Sequence, residues 1–164
     1  MKEYRLETDT KETSLQRLEK ILDHTPAFLK QIPEPEFSQK PAPDKWSKKE
    51  IIGHLIDSAT NNHHRFVRGQ FEDKPRISYD QDLWNKHSYY SVRDRDQLVS
   101  FWEMYNRHLA DIIRHTPATL LERECLMGDG SIYTIAWLFD DYVRHLEHHL
   151  RQIFGQVPDG ERYE

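Results

Sequence analysis

Two histidines four residues apart, His145 and His149, lie in an apolar-periodic stretch near the carboxyl end of the chain. Isoleucine and leucine recur at helical intervals from Ile135 to Phe154, and both histidines fall on or beside this apolar stripe. Side chains four residues apart on a helix lie about 5–6 Å apart between Cβ atoms, so both imidazoles could bind one metal ion. The alternative from spacing alone is a pair of hydrogen-bonded core histidines.

A metalloprotease helix of the HExxH type is not supported, because Leu146 rather than glutamate follows His145. The best third ligand is His54, in a stretch from Ile51 to Phe66 that has the pattern of a second amphipathic helix. Ser47 and Glu50 form a capping-box pattern at its start. Three imidazoles from two antiparallel helices would hold a divalent ion and leave at least one coordination position open, as catalytic sites do.

Other polar side chains are placed relative to this predicted site by helical geometry. Three of them lie one or two turns from a predicted ligand and could orient an imidazole or act as a base: Asp57, Asn61 and Asp141. His108 and His115 are expected at the surface or flank. His63 and His64 point well away from His54, and His148 is expected to be solvated or to contact a metal ligand from outside. Three arginines could steer an anionic ligand but are interpreted as solvated helix charges: Arg65, Arg68 and Arg144.

Length and composition favour one folded helical domain over residues 1–164, with a core from about 13 to 155. Hydrophobic residues make up only 37%, yet four Trp, eight Tyr and seven Phe supply large apolar areas. The net charge is −5, and the 23 basic residues are spread among 28 acidic ones. No basic patch is available for nucleic acid, so nucleic-acid binding is disfavoured.

The chain shows neither a signal-peptide core at its start nor a stretch near the roughly 20 apolar residues that span a bilayer. We therefore expect a cytoplasmic protein without membrane contact. Cys125 is the single cysteine, which excludes an internal disulfide and a cysteine-rich zinc site. Its acidic neighbours Glu122 and Glu124 disfavour the thiolate, so a nucleophilic role is not expected.

Four helices are predicted by periodicity. The first starts near Thr13, where a capping-box relation with Gln16 is possible, and should kink or restart at Pro26. The second follows Ser47 and fades near Gly69, the third carries Leu98 to Ile112, and the fourth covers Ile135 to Phe154. The third should close at Thr116.

Two connecting segments remain without a regular pattern. Residues 70–91 contain Tyr79, Trp84, Tyr89 and Tyr90, which could line a pocket mouth or simply roof the core. Residues 125–133 contain a glycine-flanked turn between short apolar arms, which allows a small hairpin.

Three motifs, in order and spacing, resemble the DinB-like superfamily, in particular its YfiT-like metal-dependent hydrolases and the related thiol-dependent S-transferases. They are WS..EIIGHL around His54, YDQDLW at residues 79–84, and HLEHHLRQI from His145. The resemblance covers about Leu15 to Phe154. It implies a four-helix bundle with up-down-down-up connections. It also implies a three-histidine metal site, carried over onto His54, His145 and His149. The segment after the last histidine reads Leu-Arg-Gln where the family often has Arg-Gly-Gln, which affects local packing.

The expected function is that of a metal-dependent enzyme acting on a small molecule. The first expectation is a hydrolase of amide or ester-like bonds. The alternatives are an S-transferase that uses a low-molecular-weight thiol and a non-enzymatic, stress-related bundle that the metal stabilises. We expect one divalent ion, zinc or nickel before iron or manganese. A homodimer is left open.

Overall fold

The structure is a computed structural model that describes residues 2–155. Its regular elements, in chain order, are α1 (Lys2–Gln31), α2 (Glu34–Ser38), α3 (Lys48–Arg68), α4 (Gln81–His87), α5 (Arg95–His115), β1 (Glu124–Leu126), β2 (Ile132–Thr134) and α6 (Ile135–Phe154). Two short 3-10 turns, Tyr90–Val92 and Ala118–Leu120, lie on either side of α5. β1 and β2 form an antiparallel hairpin that leads directly into α6.

The ends of the two histidine-bearing helices are set by local hydrogen bonds. The Glu50 backbone N–H donates to Ser47 Oγ at 3.1 Å, and the Ser47 backbone N–H donates to Glu50 Oε2 at 2.8 Å. This capping box confirms the predicted start of α3. Thr134 Oγ1 accepts from the Trp137 backbone N–H at 3.2 Å and starts α6, which ends at Gly155 with φ +80°.

Cross-helix contacts show the direction of each long helix. The Lys11 ammonium, near the start of α1, donates to carbonyls at the end of α5, Arg114 O and Thr116 O, at 3.0 Å each. α1 and α5 are therefore antiparallel. On the other side of α1, Ser14 Oγ donates to Asp140 Oδ1 at 3.3 Å. Arg17 Nη2 donates to Glu147 Oε2 at 2.7 Å, about one turn further along α1 and two turns further along α6. α1 and α6 therefore run parallel.

α3 runs against α6. His54, in the first third of α3, meets His145, just past the middle of α6. Phe66, near the end of α3, packs edge-to-face on Phe139 near the start of α6, with ring centroids 4.7 Å apart. In chain order, the four long helices α1, α3, α5 and α6 therefore run up, down, down and up. This topology confirms the predicted four-helix bundle. Because α3 and α5 are parallel neighbours, the chain needs a long crossover between them, and residues 69–94 supply it.

The core lies between the four long helices and is built from large apolar side chains. The largest fully buried ones include Trp102, Tyr142, Phe37, Phe66 and Phe139. Their burial removes several hundred Å² of apolar surface from water, the dominant stabilising term in a bundle of this size. Among the described residues, no helix is long and apolar enough to cross a membrane.

The first helix differs from its predicted form. It begins at Lys2, not near Thr13, so the expected Thr13–Gln16 cap is wrong. It also continues through Pro26 instead of restarting there. Proline removes one backbone hydrogen bond. Packing of α1 against α5 and α6 on both sides of Pro26 offsets that loss, since tertiary contacts outweigh local propensity.

Two connections between the long helices, residues 32–47 and 69–94, also contain short helices that periodicity did not indicate. α2 is anchored by Phe37, which is fully buried. α4 starts at Asp80, whose Oδ1 accepts from the backbone N–H groups of Asp82 and Leu83 at 3.0 and 2.9 Å. Helices of five and seven residues are too short to be stable alone and depend on such contacts.

The crossover is locked to α3 through Gly53. Tyr90, 9% exposed, lies so close that a Cβ atom on Gly53 would be 2.1 Å from its Cδ2 atom. The preceding residue, Tyr89, has a left-handed backbone with φ +56° that turns Tyr90 inward. The Tyr90 hydroxyl donates to Asp57 Oδ1 at 2.5 Å. Glycine at position 53 is therefore a packing requirement of this crossover.

We predict that Gly53→Ala destabilises the protein by about 1–3 kcal/mol, because the added methyl group displaces the Tyr90 ring. In a Tyr90→Ala background the same substitution should stabilise α3 by about 1 kcal/mol, since alanine is the better helix former. Urea denaturation followed by circular dichroism measures both differences. An equal cost of Gly53→Ala in the two backgrounds would rule out the Tyr90 contact as its cause.

Candidate metal centre

Three imidazoles from α3 and α6 converge on one point. His145 Nε2 lies 3.2 Å from His54 Nε2 and 3.1 Å from His149 Nε2. With metal–nitrogen bonds of about 2.0–2.1 Å, two ligand nitrogens lie about 3.0 Å apart at a right angle and about 3.4 Å apart at a tetrahedral angle. The observed separations lie between these values. Among the described residues, this is the one group of three histidine, cysteine or acidic side chains arranged closely enough to hold an ion.

The opposite nitrogens of two of these rings have polar partners. His149 Nδ1 lies 2.8 Å from Gln152 Oε1, an acceptor, which places the ring proton on Nδ1 and leaves a lone pair on Nε2. His145 Nδ1 lies 3.4 Å from Ser58 Oγ. Nδ1 of His54 is buried and has no hydrogen-bond partner within residues 2–155. The three Nε2 atoms thus face one another, and that of His149 carries a lone pair.

Burial keeps these imidazoles neutral. It lowers the pKa of His54 to about 4, and the neighbouring His149 adds to this effect. Burial, followed by the nearby His149 and His54, lowers the pKa of His145 to about 3. Burial also lowers the pKa of His149, although its bond to Gln152 opposes the shift. Neutral imidazole is the form that binds a metal ion, so the group is ready for one at neutral pH.

The site opens to solvent on one side. A cavity of about 400 Å³ lies beside it, lined by Pro41, Asp44, Lys45, Trp46, Ile51, Asp82, His149 and Gln152. The Trp46 ring packs on His54 with centroids 4.7 Å apart, so the deepest ligand is shielded while His149 faces the cavity. A broader open cleft of about 550 Å³, near Lys49 and Arg93, has no histidine in its lining.

The predicted orienting residues lie elsewhere. Asp57 accepts from Tyr90, and Asn61 Nδ2 donates to the Asp57 backbone carbonyl at 2.9 Å. Asp141 pairs with Arg144 at 3.6 Å on the outer side of α6. Within the described residues, the polar partners of the imidazoles are instead Ser58 and Gln152. Neither is predicted from the sequence, although Ser58 follows His54 by four residues and Gln152 follows His149 by three.

The other histidines and the cysteine stay outside the cluster. His63 Nδ1 lies 3.0 Å from the Tyr105 hydroxyl, on the side of α3 that faces α5, and His108 and His148 are exposed. Cys125 is fully buried, and this burial raises the pKa of its thiol. The reason differs from the predicted one. Nearby Arg65, Arg68 and Arg123 oppose the rise, so burial rather than acidic neighbours makes the thiolate unfavourable.

The buried carboxyl group of Asp57 makes the folding stability of the protein depend on pH. Burial raises the pKa of its carboxyl group to about 6, against the opposing hydrogen bond from Tyr90, and Oδ2 has no partner within residues 2–155. A raised carboxyl pKa means that the folded state holds its proton more tightly than the unfolded state does. The resulting stability is present below the unfolded value near 3.8 and is lost as the pH rises through about 6.

We therefore predict that Asp57→Asn stabilises the protein at pH 7.5 by about 1–3 kcal/mol and much less at pH 4. Asparagine keeps an acceptor for Tyr90 without a buried charge. Urea denaturation at the two pH values measures the effect, and Asp73→Asn, at an exposed carboxylate, serves as the control. An equal effect of Asp57→Asn at both pH values would contradict the assignment.

Comparison with known proteins places this geometry in context. A relative from Halalkalibacterium halodurans, provisionally named a metal-dependent hydrolase, is 27% identical over 128 residues, which cover 77% of this chain and 74% of the relative. YfiT from Bacillus subtilis carries the same provisional name and is 29% identical over 140 residues, 81% of this chain and 78% of YfiT.

The solved structures agree in fold. The YfiT structure, described as an unusual four-helix bundle, superposes with a TM-score of 0.77 at 23% identity, over 88% of this chain and 84% of that one. The mycothiol-dependent maleylpyruvate isomerase superposes with a TM-score of 0.74 at 18% identity, over 90% of this chain and 64% of that one. The model of the DinB superfamily matches residues 17–153, so the chain belongs to this superfamily.

Proposed function

We propose that the protein is a metal-dependent hydrolase whose single divalent ion is held by His54, His145 and His149. The observation that carries the proposal is the convergence of three neutral imidazole Nε2 atoms, two of the separations being 3.1 and 3.2 Å, beside an open cavity of about 400 Å³. Three protein ligands with solvent access on one side are typical of a catalytic metal site rather than a structural one.

The residues of the chain have separate tasks in this proposal. A divalent ion at this position supplies Lewis acidity toward a water molecule or a carbonyl group. His54 and His145 hold it from the buried side, and His149 holds it at the cavity wall. Trp46 closes the space above His54 and gives a substrate an apolar surface. A small molecule can thereby reach the site from the cavity beside His149.

The donor set narrows the choice of ion. Imidazole nitrogens suit zinc and nickel and also accept iron or manganese, whereas calcium and magnesium prefer oxygen ligands. With three neutral ligands, the full charge of the ion stays available to polarise a substrate. The provisional names of the two bacterial relatives support a metal-dependent hydrolytic reaction at this site.

A thiol-dependent transferase is the second candidate. It is favoured by one structural neighbour, a mycothiol-dependent isomerase, whose fold overlays 90% of this chain. In this alternative the same three histidines would serve a site for a low-molecular-weight thiol, and the cavity would accept that thiol and an electrophile. A purely structural metal is less well supported, since a structural zinc ion normally has four protein ligands and no open side.

We predict that His54→Ala, His145→Ala and His149→Ala each lower metal affinity by more than about 100-fold. Loss of a side chain that only hydrogen-bonds to a metal ligand already lowers metal affinity about 10–100-fold, and loss of the ligand itself should cost more. Metal content after dialysis against a chelator, measured by plasma mass spectrometry, shows the loss and identifies the ion. Circular dichroism verifies that each variant is folded.

The matched control is His63→Ala on α3, a histidine that contacts Tyr105 rather than the cluster. It should keep the metal content of the parent protein. Full occupancy in any two of the three ligand variants would defeat the assignment. Equal losses in His63→Ala and the ligand variants would show a general instability instead.

We further predict that Cys125→Ala retains turnover, whereas His145→Ala loses it by at least 100-fold. Cys125 is buried and its thiol pKa is raised, so it offers no reactive thiolate to a substrate in the cavity. A parallel screen of amide and ester hydrolysis and of thiol conjugation identifies the reaction. A folded, metal-loaded and inactive Cys125→Ala variant would contradict the metal-centred reaction.

A further inference from the structure

About half of the buried residues of α3 are polar, which is unusual for a helix inside a bundle. The buried polar residues after His54 are Asp57, Ser58, Asn61 and Asn62, all at most 6% exposed. Ser58, Asn62 and Arg65 follow His54 by four, eight and eleven residues, so they lie along one side of the helix. Apolar residues there would stabilise the bundle more simply, so this polar row needs a reason.

These three side chains form a continuous line that ends at a predicted metal ligand. Arg65 Nη1 donates to Asn62 Oδ1 at 3.2 Å. Asn62 Nδ2 donates to the Ser58 backbone carbonyl at 3.0 Å and lies 3.4 Å from Ser58 Oγ. Ser58 Oγ in turn lies 3.4 Å from His145 Nδ1. The guanidinium carries donors only, so it requires the amide oxygen of Asn62 on its own side and turns the amide nitrogen toward Ser58.

Ser58 also has a hydrogen-bond partner in the crossover, Tyr79. A Ser58 hydroxyl that gives its hydrogen to Tyr79 leaves its oxygen as an acceptor toward His145. An acceptor at this position requires the ring proton on Nδ1, which leaves the lone pair of His145 on Nε2. That nitrogen is the one that faces His54 and His149.

Arg65 anchors the far end of the line. Its Nη2 donates to the Ile77 carbonyl of the crossover at 3.3 Å, and within residues 2–155 it forms no ion pair with a carboxylate. Through Nη2, Arg65 thus connects the row of hydrogen-bonded side chains to the part of the crossover that lies beside β1. There the Ile77 backbone N–H donates to Leu126 O. Arg65 is therefore not a solvated helix charge, in contrast to the prediction from the sequence.

We propose that Ser58, Asn62 and Arg65 are positioning residues that hold the Nδ1 proton of His145 and keep its Nε2 lone pair directed at the metal. The proposal rests on the proposed metal site. Outer partners of this kind set the tautomer and orientation of a ligating histidine, and their loss typically weakens metal binding about 10–100-fold. None of the three residues belongs to the three-histidine cluster.

The test uses Ser58→Ala and, as a matched control, Thr60→Val. Thr60 lies on the same helix, but its hydroxyl donates to the Ile56 carbonyl at 3.0 Å and has no part in the line. Nitrogen-15 NMR of the histidine rings in the metal-free protein measures the His145 tautomer. Zinc competition with a chromophoric chelator measures the affinity.

We expect His145 to carry its proton on Nδ1 in the parent protein and in Thr60→Val. In Ser58→Ala, proton density should shift toward Nε2, and the zinc dissociation constant should rise about 10–100-fold. Asn62→Ala, which cuts the next link, should shift both quantities in the same direction by less. If Ser58→Ala does not fold, the same two measurements on Asn62→Ala test the proposal.

An unchanged His145 tautomer in folded Ser58→Ala or Asn62→Ala, with zinc affinity within about twofold of the parent, would overturn the proposal. Failure of the proposed function has a different signature. In that case the parent protein binds no metal, while the metal-free tautomer of His145 still responds to Ser58→Ala.

Discussion

The structure depends on three neutral imidazoles, one fully buried at His54 and two half-buried at His145 and His149, whose Nε2 atoms face one another between α3 and α6. His145 Nε2 lies 3.2 and 3.1 Å from the other two, where at most one proton can be shared between each pair. A buried acceptor without a donor costs about 1–3 kcal/mol. The bundle therefore carries an unfavourable arrangement at this point, and a cation is the simplest partner that satisfies all three nitrogens together.

The bundle topology explains how this arrangement is held. Antiparallel packing brings the start of α3 to the end of α6, and the parallel α1 fixes the rotation of α6 from its other side. Arg17 bonds Asp140 at 2.8 Å and Glu147 at 2.7 Å, and these two acids flank His145 by about one turn on one side and half a turn on the other. Exposed ion pairs contribute little, but these side chains are 15–31% exposed and one guanidinium bridges two turns of α6. A rotation of α6 that moved the histidines would break both contacts.

Much of the site could be predicted from the sequence, because helical periodicity reports which residues share a face. The pattern identifies α3, α5, α6 and the three histidines, since each of these depends on local spacing. It does not identify α4. Asp80 is a typical N-cap residue, but a helix of seven residues is too short to show a clear hydrophobic period. It also selects Asp57 over Ser58. Residues three and four positions after His54 deviate from it by about 60° and 40° in opposite senses, and only the packed position of α6 decides which side meets an imidazole.

The crossover shows why a long connection survives in this fold. Parallel α3 and α5 require it, yet its inward side chains have polar ends: Tyr90 reaches Asp57, Tyr79 reaches Ser58, and the Ile77 carbonyl accepts from Arg65. Each of these contacts gives a further hydrogen-bond partner to a polar side chain on the inner side of α3. The polar face of α3 and the crossover therefore need each other. A bundle with an apolar α3 would not require these tyrosines, and a crossover without them would leave the surroundings of His145 open to water.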